Sequence, residues 1–397
     1  MQLPLSGIRV LDLSNVLAGP FCCHQLVHMG AEVIKVEVRG RGDLARQLGA
    51  DPELSAKNMG VSFLAQNAGK KSITLDLKSE QGKALFLRLL DTADVLVENF
   101  RPGVMKRLGL SYANLKEHKP SLVYCAISGF GQEGPWVHRP AYDQIIQGAS
   151  GVMSVTGDAS SAPLRVGYPV ADTVGGMTAA FAIAAALNAN PRGSFIDVSM
   201  LESVLATMGW VVSNHLIAGV EPEAHGNENV TSAPSGAFET ADGLINIAAN
   251  KDEQWVLLAQ HLGLQELCDR PEYINREARK KNRFALKAEL ETVLSVRPAR
   301  LWAEELNKLG VPAGAVLSVP EVLAEPQVAD RGFLKQYDNV PGVGRDIQVA
   351  TTGFKLDGEA PTVTAPPPEL GQHNTEVWSG LGLSESEIEQ LTQDAVI

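Results

Sequence analysis

The first 130 residues alternate between short apolar runs of strand length and longer stretches with helical spacing. Residues 8–13 (IRVLDL) read as a strand, SNVLAGP as a loop, and the chain to about His28 as a helix ended by Gly30. Residues 32–37 (EVIKVE) predict the next strand. Further strands fall at 72–77, 95–98 and 122–127, with helices at about 80–92 and 104–108. Strands separated by helices of this length need crossover connections, which give a parallel sheet and an α/β fold.

Beyond this region, residues 178–190 (TAAFAIAAALNAN) are uncharged and apolar on almost every face, the mark of a buried helix. Asp172 stands at its mouth in the small-residue run VGYPVADTVGGM, where a charge is costly unless it is paired or used. One reading makes Asp172 a helix cap, favoured by the free amides and the dipole of the first turn. The other makes it a reactive carboxylate, and the two are compatible.

Residues 200–218 predict a second buried helix, which runs into the polar stretch GVEPEAHGNENVTSAPSGAF. Residues 252–309 read as mostly helical and more charged, with REARKKNR (276–283) as a solvated face. A proline-bearing tail then leads to a last amphipathic helix from about Ser384. This divides the chain into a large domain (1–224), a smaller domain (225–325) and a return to the first (326–397).

With 34 basic and 46 acidic residues among 397, the formal charge is −12, which argues against a nucleic-acid binder. No run of apolar residues is long enough for a membrane span, and the start lacks a basic segment before an apolar one, so a cytoplasmic protein is expected. The four cysteines show no CxxC spacing, which fits a reducing compartment. Only His24 and His28 share a helical i, i+4 spacing, with no carboxylate nearby, so no metal site is expected. The loop after the first strand lacks GxGxxG, which argues against a standard dinucleotide site, and neither a Walker sequence nor GxSxG occurs.

Several separate stretches together resemble one family. They are SNVLAGPF, GAEVIKVE with Gly42-Asp43, NAGKKSITLDLK, DVLVENFRPG, SGFGQEGP, AYDQIIQGASG, VADTVGG, GVPAG and LGQH, spread in order over nearly the whole chain. They resemble the family III CoA-transferases, the group containing formyl-CoA transferase and carnitine CoA-transferase. The resemblance implies a Rossmann-like large domain built from both chain ends, a smaller inserted domain, and an obligate homodimer of interlocked rings.

It also implies roles. Asp172 would be the nucleophile that attacks an acyl-CoA thioester, with Gly175, Gly176 and Thr173 leaving room for or supplying oxyanion donors. Coenzyme A would contact Val16, Leu17, Ala18, Arg39, Leu75, Lys78, Asn99, Phe100, Arg101, Arg107, Arg139 and Tyr142, with Arg41 and Lys71 as further cations. Ser232, Ser235 and Gly236 would line the acyl pocket. Coenzyme A enters as a substrate thioester, so no resident cofactor is expected. The partners would be acyl-CoA and a small carboxylic acid, with neither nucleic acid nor membrane. Two positions depart from some relatives, which carry a polar residue in place of Leu17 and an arginine in place of Val38.

The α-methylacyl-CoA racemases share this fold but use a histidine as second base, where this chain has Ala141. A non-catalytic CoA-binding protein is the alternative outside enzymology. The short segment 229–243 lacks the long glycine-rich insertion of formyl-CoA transferases. It resembles members that use succinyl-CoA with dicarboxylates, or acetyl-CoA with oxalate; transfer from formyl-CoA to oxalate is a further alternative.

Overall fold

The computed structural model describes residues 3–397, which form two compact units. The first runs to Val152, resumes over Arg165–Ala218 and again over Pro326–Ile397; the second holds Met153–Leu164 and Gly219–Glu325. The sequence placed Met153–Leu164 in the large domain. Instead this segment pairs with chain beyond residue 218, where the Gly226 amide donates to the Gly157 carbonyl at 2.7 Å.

In the first unit β1 (Arg9–Asp12), α1 (Ala18–His28), β2 (Glu32–Glu37), α2 (Pro52–Ala56), α3 (Val61–Leu64) and β3 (Lys71–Thr74) follow in order. Then come α4 (Glu80–Leu90), β4 (Val95–Glu98), α5 (Val104–Arg107), α6 (Tyr112–His118), β5 (Val123–Ser128) and α7 (Asp143–Ala149). Next are α8 (Val170–Ala186), β6 (Ser194–Ser199), α9 (Met200–Thr207) and α10 (Gly209–Ala218). The six strands make one parallel sheet in the order β3-β2-β1-β4-β5-β6, with Leu11 opposite both Ile34 and Leu96. Winding reverses between β1 and β4, and ligands of doubly wound sheets bind beyond the strand C-termini at such a point.

Alternate residues of the buried strands feed two cores, one on each face. Val10, Val33, Val97 and Cys125 pack with Leu26 of α1 and Ile183 of α8. Leu11, Ile34, Leu96 and Tyr124 pack with Phe86 of α4 and with Trp378.

The glycine pair of α8 sets how closely that helix approaches its neighbours. A Cβ on Gly176 would lie 2.5 Å from the Ala18 carbonyl oxygen, and one on Gly175 would lie 2.9 Å from Met200 Cγ. These glycines therefore let α8 pack closely on α1 and Met200. Burial of the two apolar helices is also only partial. Phe181 of α8 is 75% exposed and Trp210 of α10 is 80% exposed, and no residue of α10 is buried within the chain. The expected single helix over 200–218 is broken at Met208.

The second unit has its own antiparallel sheet of β7 (Ser235–Glu239), β8 (Leu244–Ala248) and β9 (Ala313–Ala315). Against it pack helices α11 (Asp252–His261), α12 (Arg276–Lys281), α13 (Arg283–Leu294) and α14 (Ala299–Lys308), around Phe238, Trp255, Leu290 and Trp302. The charge run in α12 is not wholly solvated. Arg279 is fully buried, donates to the Ala233 and Tyr273 carbonyls, and pairs with Asp252.

After α15 (Val319–Leu323) and α16 (Pro326–Asp330), the chain forms the hairpin β10 (Leu334–Tyr337) and β11 (Ile347–Ala350). It ends in α17 (Asn374–Gly380) and α18 (Glu385–Gln393). This last segment covers the edge strand β3, whose free backbone groups would otherwise invite pairing. His373 N–H donates to the Ser72 carbonyl at 2.9 Å, Thr74 N–H to Asn374 Oδ1 at 2.8 Å, and Asp76 N–H to the Val396 carbonyl at 2.8 Å. Among the described residues no helix is long and apolar enough to cross a membrane.

Beneath the C-terminal ends of β1 and β2 lies a buried charge cluster. Asp12 is 2.9 Å from Lys70 Nζ and 3.8 Å from Lys35 Nζ, and Lys35 is 2.9 Å from Asp43. Burial pushes the Asp12 carboxyl up, but the two ammonium charges outweigh it and hold its pKa at about 2. Burial acts on Lys35 in the opposite sense, yet Asp12 and Asp43 carry its pKa above the usual lysine value. The ammonium groups also hold the β1–α1 loop, since Lys35 Nζ donates to the Ser14 carbonyl at 2.7 Å and Lys70 Nζ to the Pro20 carbonyl at 2.9 Å. Removing one member leaves a buried charge undercompensated. Lys70→Met is expected to cost about 3–5 kcal/mol, read as a lower urea midpoint with an unchanged m-value.

Candidate active site

Two cavities open at the C-terminal edge of the parallel sheet. One, of about 300 Å³, is lined by Val16, Leu17 and Ala18 from the β1–α1 loop, by Asn99 and Arg101, and by Tyr142 and Asp172. The other, of about 430 Å³, is lined by Val36 and Val38 with Arg41, by Leu75 and Lys78, and by Val104 and Leu108. Asn15, Leu44 and Phe100 line both. The sequence did not single out Asn15, yet it ties the two sides of the switch point together. Its N–H donates to Asn99 Oδ1 and its carbonyl accepts from Asn99 Nδ2, each at 2.8 Å.

Asp172 lies in the first turn of α8, the third residue of the helix, and not at its cap. Pro169 occupies the N-cap position and supplies no side-chain bond. The capping is done from another helix. Asp143, the first residue of α7, accepts the Ala171 N–H at 2.9 Å through Oδ1. Its Oδ2 accepts from Gln147 Nε2 at 2.7 Å, with Arg165 Nη2 at 3.4 Å. Thr173 is also occupied locally, since its hydroxyl donates to the Pro169 and Val170 carbonyls, so it is not a free oxyanion donor. Burial, reinforced by the charge of Asp143, raises the Asp172 pKa from 3.8 to about 7. A carboxylate stripped of water and of local hydrogen-bond donors is a stronger nucleophile than a solvated one.

Opposite this carboxylate, α1 begins without a side-chain cap and with no acidic residue in its first turn. A helix start of that kind favours negative charge.

The structure places the remaining sequence-predicted residues as follows. Arg41 lines the second cavity, whereas Arg39 Nη2 is turned to the Thr392 carbonyl at 3.4 Å. Arg107 is exposed on α5, the helix that supplies Val104, and Arg139 stacks 4.5 Å from the Trp136 ring centre; neither lines either of these two cavities. Lys71 begins β3, at the sheet edge opposite the cavities, and is held 2.7 Å from both Glu32 and Glu376. Ser235 and Gly236 line a cavity of about 450 Å³ in the second unit with Asn229, Asn246 and Asn307. Ser232 is buried beside the Asn250 carbonyl and outside that cavity. Among the described residues Arg41, Lys78 and Arg101 form no ion pair, so their charges are available to an anionic ligand.

A doubly wound sheet with a desolvated aspartate at its switch point and free cations nearby has the layout of a site for an anionic ligand. The chain belongs to CoA-transferase family III, whose model matches residues 5–374. It is 40% identical to an acetyl-CoA:oxalate CoA-transferase of Acetobacter aceti, over 87% of this chain and 89% of that protein. It is 38% identical to a succinate–glutarate CoA-transferase of Agrobacterium fabrum, over 95% and 96%. A crystal structure of a CaiB/BaiF family protein from Brucella suis superposes with a TM-score of 0.83 at 34% identity, covering 96% of this chain and all of that one.

The raised pKa carries a sign. Between pH 3.8 and about 7 the folded state holds a proton on Asp172 that the unfolded chain has released, so the ionised form destabilises the fold as pH rises through that window. Asp172→Asn is therefore expected to melt higher than the wild type at pH 8. The gap should close as pH falls below 4, as checked by thermal denaturation across that range.

Proposed function

We propose that the enzyme moves coenzyme A from an acyl-CoA donor, succinyl-CoA, to a dicarboxylate acceptor, with Asp172 as nucleophile. The Asp172 carboxylate attacks the thioester carbonyl carbon, the C–S bond breaks, and CoA leaves as thiolate, giving a mixed anhydride. The thiolate attacks the aspartyl Cγ, the donor acid departs as carboxylate, and an aspartyl-CoA thioester remains. The acceptor carboxylate then attacks that thioester, and the same steps in reverse give the new acyl-CoA and free Asp172. No proton or electron is consumed, and anhydride and thioester are both activated acyl species, so the steps lie close in energy.

The observation that carries this reading is the division of labour at the start of α8, where Asp143 caps the helix and leaves the Asp172 side chain free in the first cavity. The uncapped start of α1 would stabilise the oxyanions that form at the attacked carbonyls. Coenzyme A would lay its nucleotide in the second cavity against Val36, Leu75 and Val104, with Arg41 and Lys78 on its phosphates, and pass Phe100 to bring its thiol to Asp172. Among the sequence-derived contacts, Arg39, Arg107 and Arg139 would act only if they turned from their present positions. At a net charge of −12, such local cations must hold the phosphates against the field of the whole protein. The first cavity holds Ala141 and no histidine, which speaks against two-base racemisation. Acetyl-CoA with oxalate is the second reading, favoured by the 40% identity to the Acetobacter enzyme.

We further propose an obligate cytoplasmic homodimer of interlocked rings. A second copy would cover the exposed aromatic faces of α8 and α10, which a lone chain leaves in water.

Incubation with succinyl-CoA followed by hydroxylamine should convert Asp172 to a hydroxamate, seen by mass spectrometry, with loss of transfer activity. Detection of transfer with no modification at Asp172 would overturn the mechanism. In a panel of acids, glutarate and related dicarboxylates should accept CoA from succinyl-CoA faster than oxalate accepts it from acetyl-CoA. The reverse ranking would select the second reading. With Asp172 titrating at about 7, kcat/KM should rise about tenfold per pH unit below 7 and level off above it.

A further inference from the structure

The β1–α1 loop contains an unusual backbone conformation. Val16 has φ of +67°, a left-handed angle that a β-branched residue adopts only under constraint. The loop is fixed on both sides of this residue. Asn99 takes both backbone groups of Asn15, and α1 begins at Ala18, with the Phe21 N–H donating to the Leu17 carbonyl at 2.8 Å. The remaining constraint is Asp43. Its Oδ1 accepts the Val16 N–H at 2.9 Å and the Ala45 N–H at 2.9 Å. Its Oδ2 lies 2.9 Å from Lys35 Nζ, and its own N–H donates to Glu37 Oε2 at 3.0 Å. Asp43 is almost fully buried, and its neighbours Gly42 and Leu44 line the second cavity.

We infer that Asp43 is a positioning residue for acyl transfer: it holds Val16 in its left-handed conformation and so sets the Leu17–Ala18 backbone against the carboxylate of Asp172. The inference rests on the assignment of Asp172 as nucleophile. Val16, Leu17, Ala18 and Asp172 share one cavity, and a backbone turned at Val16 alters the direction of every amide at the start of α1. Asp43 touches neither the thioester nor the acid in this arrangement. Its direct hold on the loop is the Val16 N–H, whereas its ion pair with Lys35 reaches the loop only through the Ser14 carbonyl, and its bond to the Ala45 N–H lies outside the loop.

That distinction gives the test. The wild type, Asp43→Ala, Asp43→Asn and the double variant Asp43→Ala with Val16→Gly are compared with succinyl-CoA and glutarate. Melting temperature, kcat and KM are measured for each. Loss of the anchor should lower kcat of Asp43→Ala about 100-fold while KM for the acyl-CoA changes less than about threefold, the scale expected for a misplaced reacting group. Asp43→Asn loses the Lys35 ion pair but keeps an oxygen that can accept the Val16 N–H, so it should regain at least about tenfold of that kcat even where its melting temperature is as low. Glycine adopts positive φ without an anchor, so Val16→Gly should likewise raise the kcat of Asp43→Ala at least about tenfold. The inference is overturned if Asp43→Asn is as slow as Asp43→Ala, or if Val16→Gly brings no recovery.

Should Asp43→Ala fail to fold, Val16→Pro puts the same question. It removes the donated N–H and forbids the left-handed angle, so a folded Val16→Pro variant with undiminished kcat overturns the inference equally. Failure of the underlying reading is separately visible, because wild-type enzyme would then transfer CoA with no hydroxamate at Asp172.

Discussion

The site depends on how the backbone from Ser14 to Pro20 is held. This loop has no glycine-rich turn to shape it, and several of its backbone groups are taken by side chains from elsewhere. Lys35 takes the Ser14 carbonyl, Asn99 the backbone of Asn15, Asp43 the amide of Val16, and Lys70 the Pro20 carbonyl. The charges that do this are compensated among themselves, with Asp12 between two ammonium groups and Lys35 between two carboxylates. Buried ion pairs are weak sources of net stability, and well-packed apolar residues often replace them without loss. Here the cluster has a use that apolar residues could not serve, because only long polar side chains can reach and fix backbone groups in a loop that borders a cavity.

The second constraint is the separation of two carboxylates at the start of α8. A helix start attracts negative charge, and a single aspartate there would satisfy the free amides and be stabilised as a spectator. By assigning the cap to Asp143 on α7, the fold leaves Asp172 with a desolvated carboxylate and a like charge nearby. Both influences disfavour ionisation and raise reactivity together. Gly175 and Gly176 complete the arrangement by letting α8 press on α1 and Met200, so the carboxylate and the loop held by the charge cluster share one cavity.

Much of this was legible in the sequence because apolar periodicity reports burial faithfully. β2 and β4 fall at residues 32–37 and 95–98 as the pattern predicts, and Asp172 announces itself as a lone charge in a small-residue run. What was not legible has physical causes. β6 carries Ser194, Phe195 and Asp197 in a half-exposed position, so no apolar run marks it. Apolar character predicts that α8 and α10 are covered but not by what, and within one chain Phe181, Trp210 and Ile217 stay exposed. Arg279 looked like one more surface cation because a charge run carries no sign of which member turns inward. The buried cluster did leave a signal, a lysine in the middle of the apolar strand EVIKVE, which requires a carboxylate partner wherever it folds. Its partners, Asp12 at the end of β1 and Asp43 in the loop after β2, come from separate stretches and cannot be read from spacing.

The covering of β3 by the C-terminal segment bears on how the protein is made. Hydrogen bonds join residues 72–76 to residues 371–396, about three hundred positions apart, and the whole second unit is spelled out between them. As the polypeptide leaves the ribosome, the intervening unit has its full sequence available while the reactive sheet still shows a bare flank. The unit that begins first is thus completed last. Through most of synthesis that flank is the place where a nascent chain would meet chaperones or a neighbour's strand.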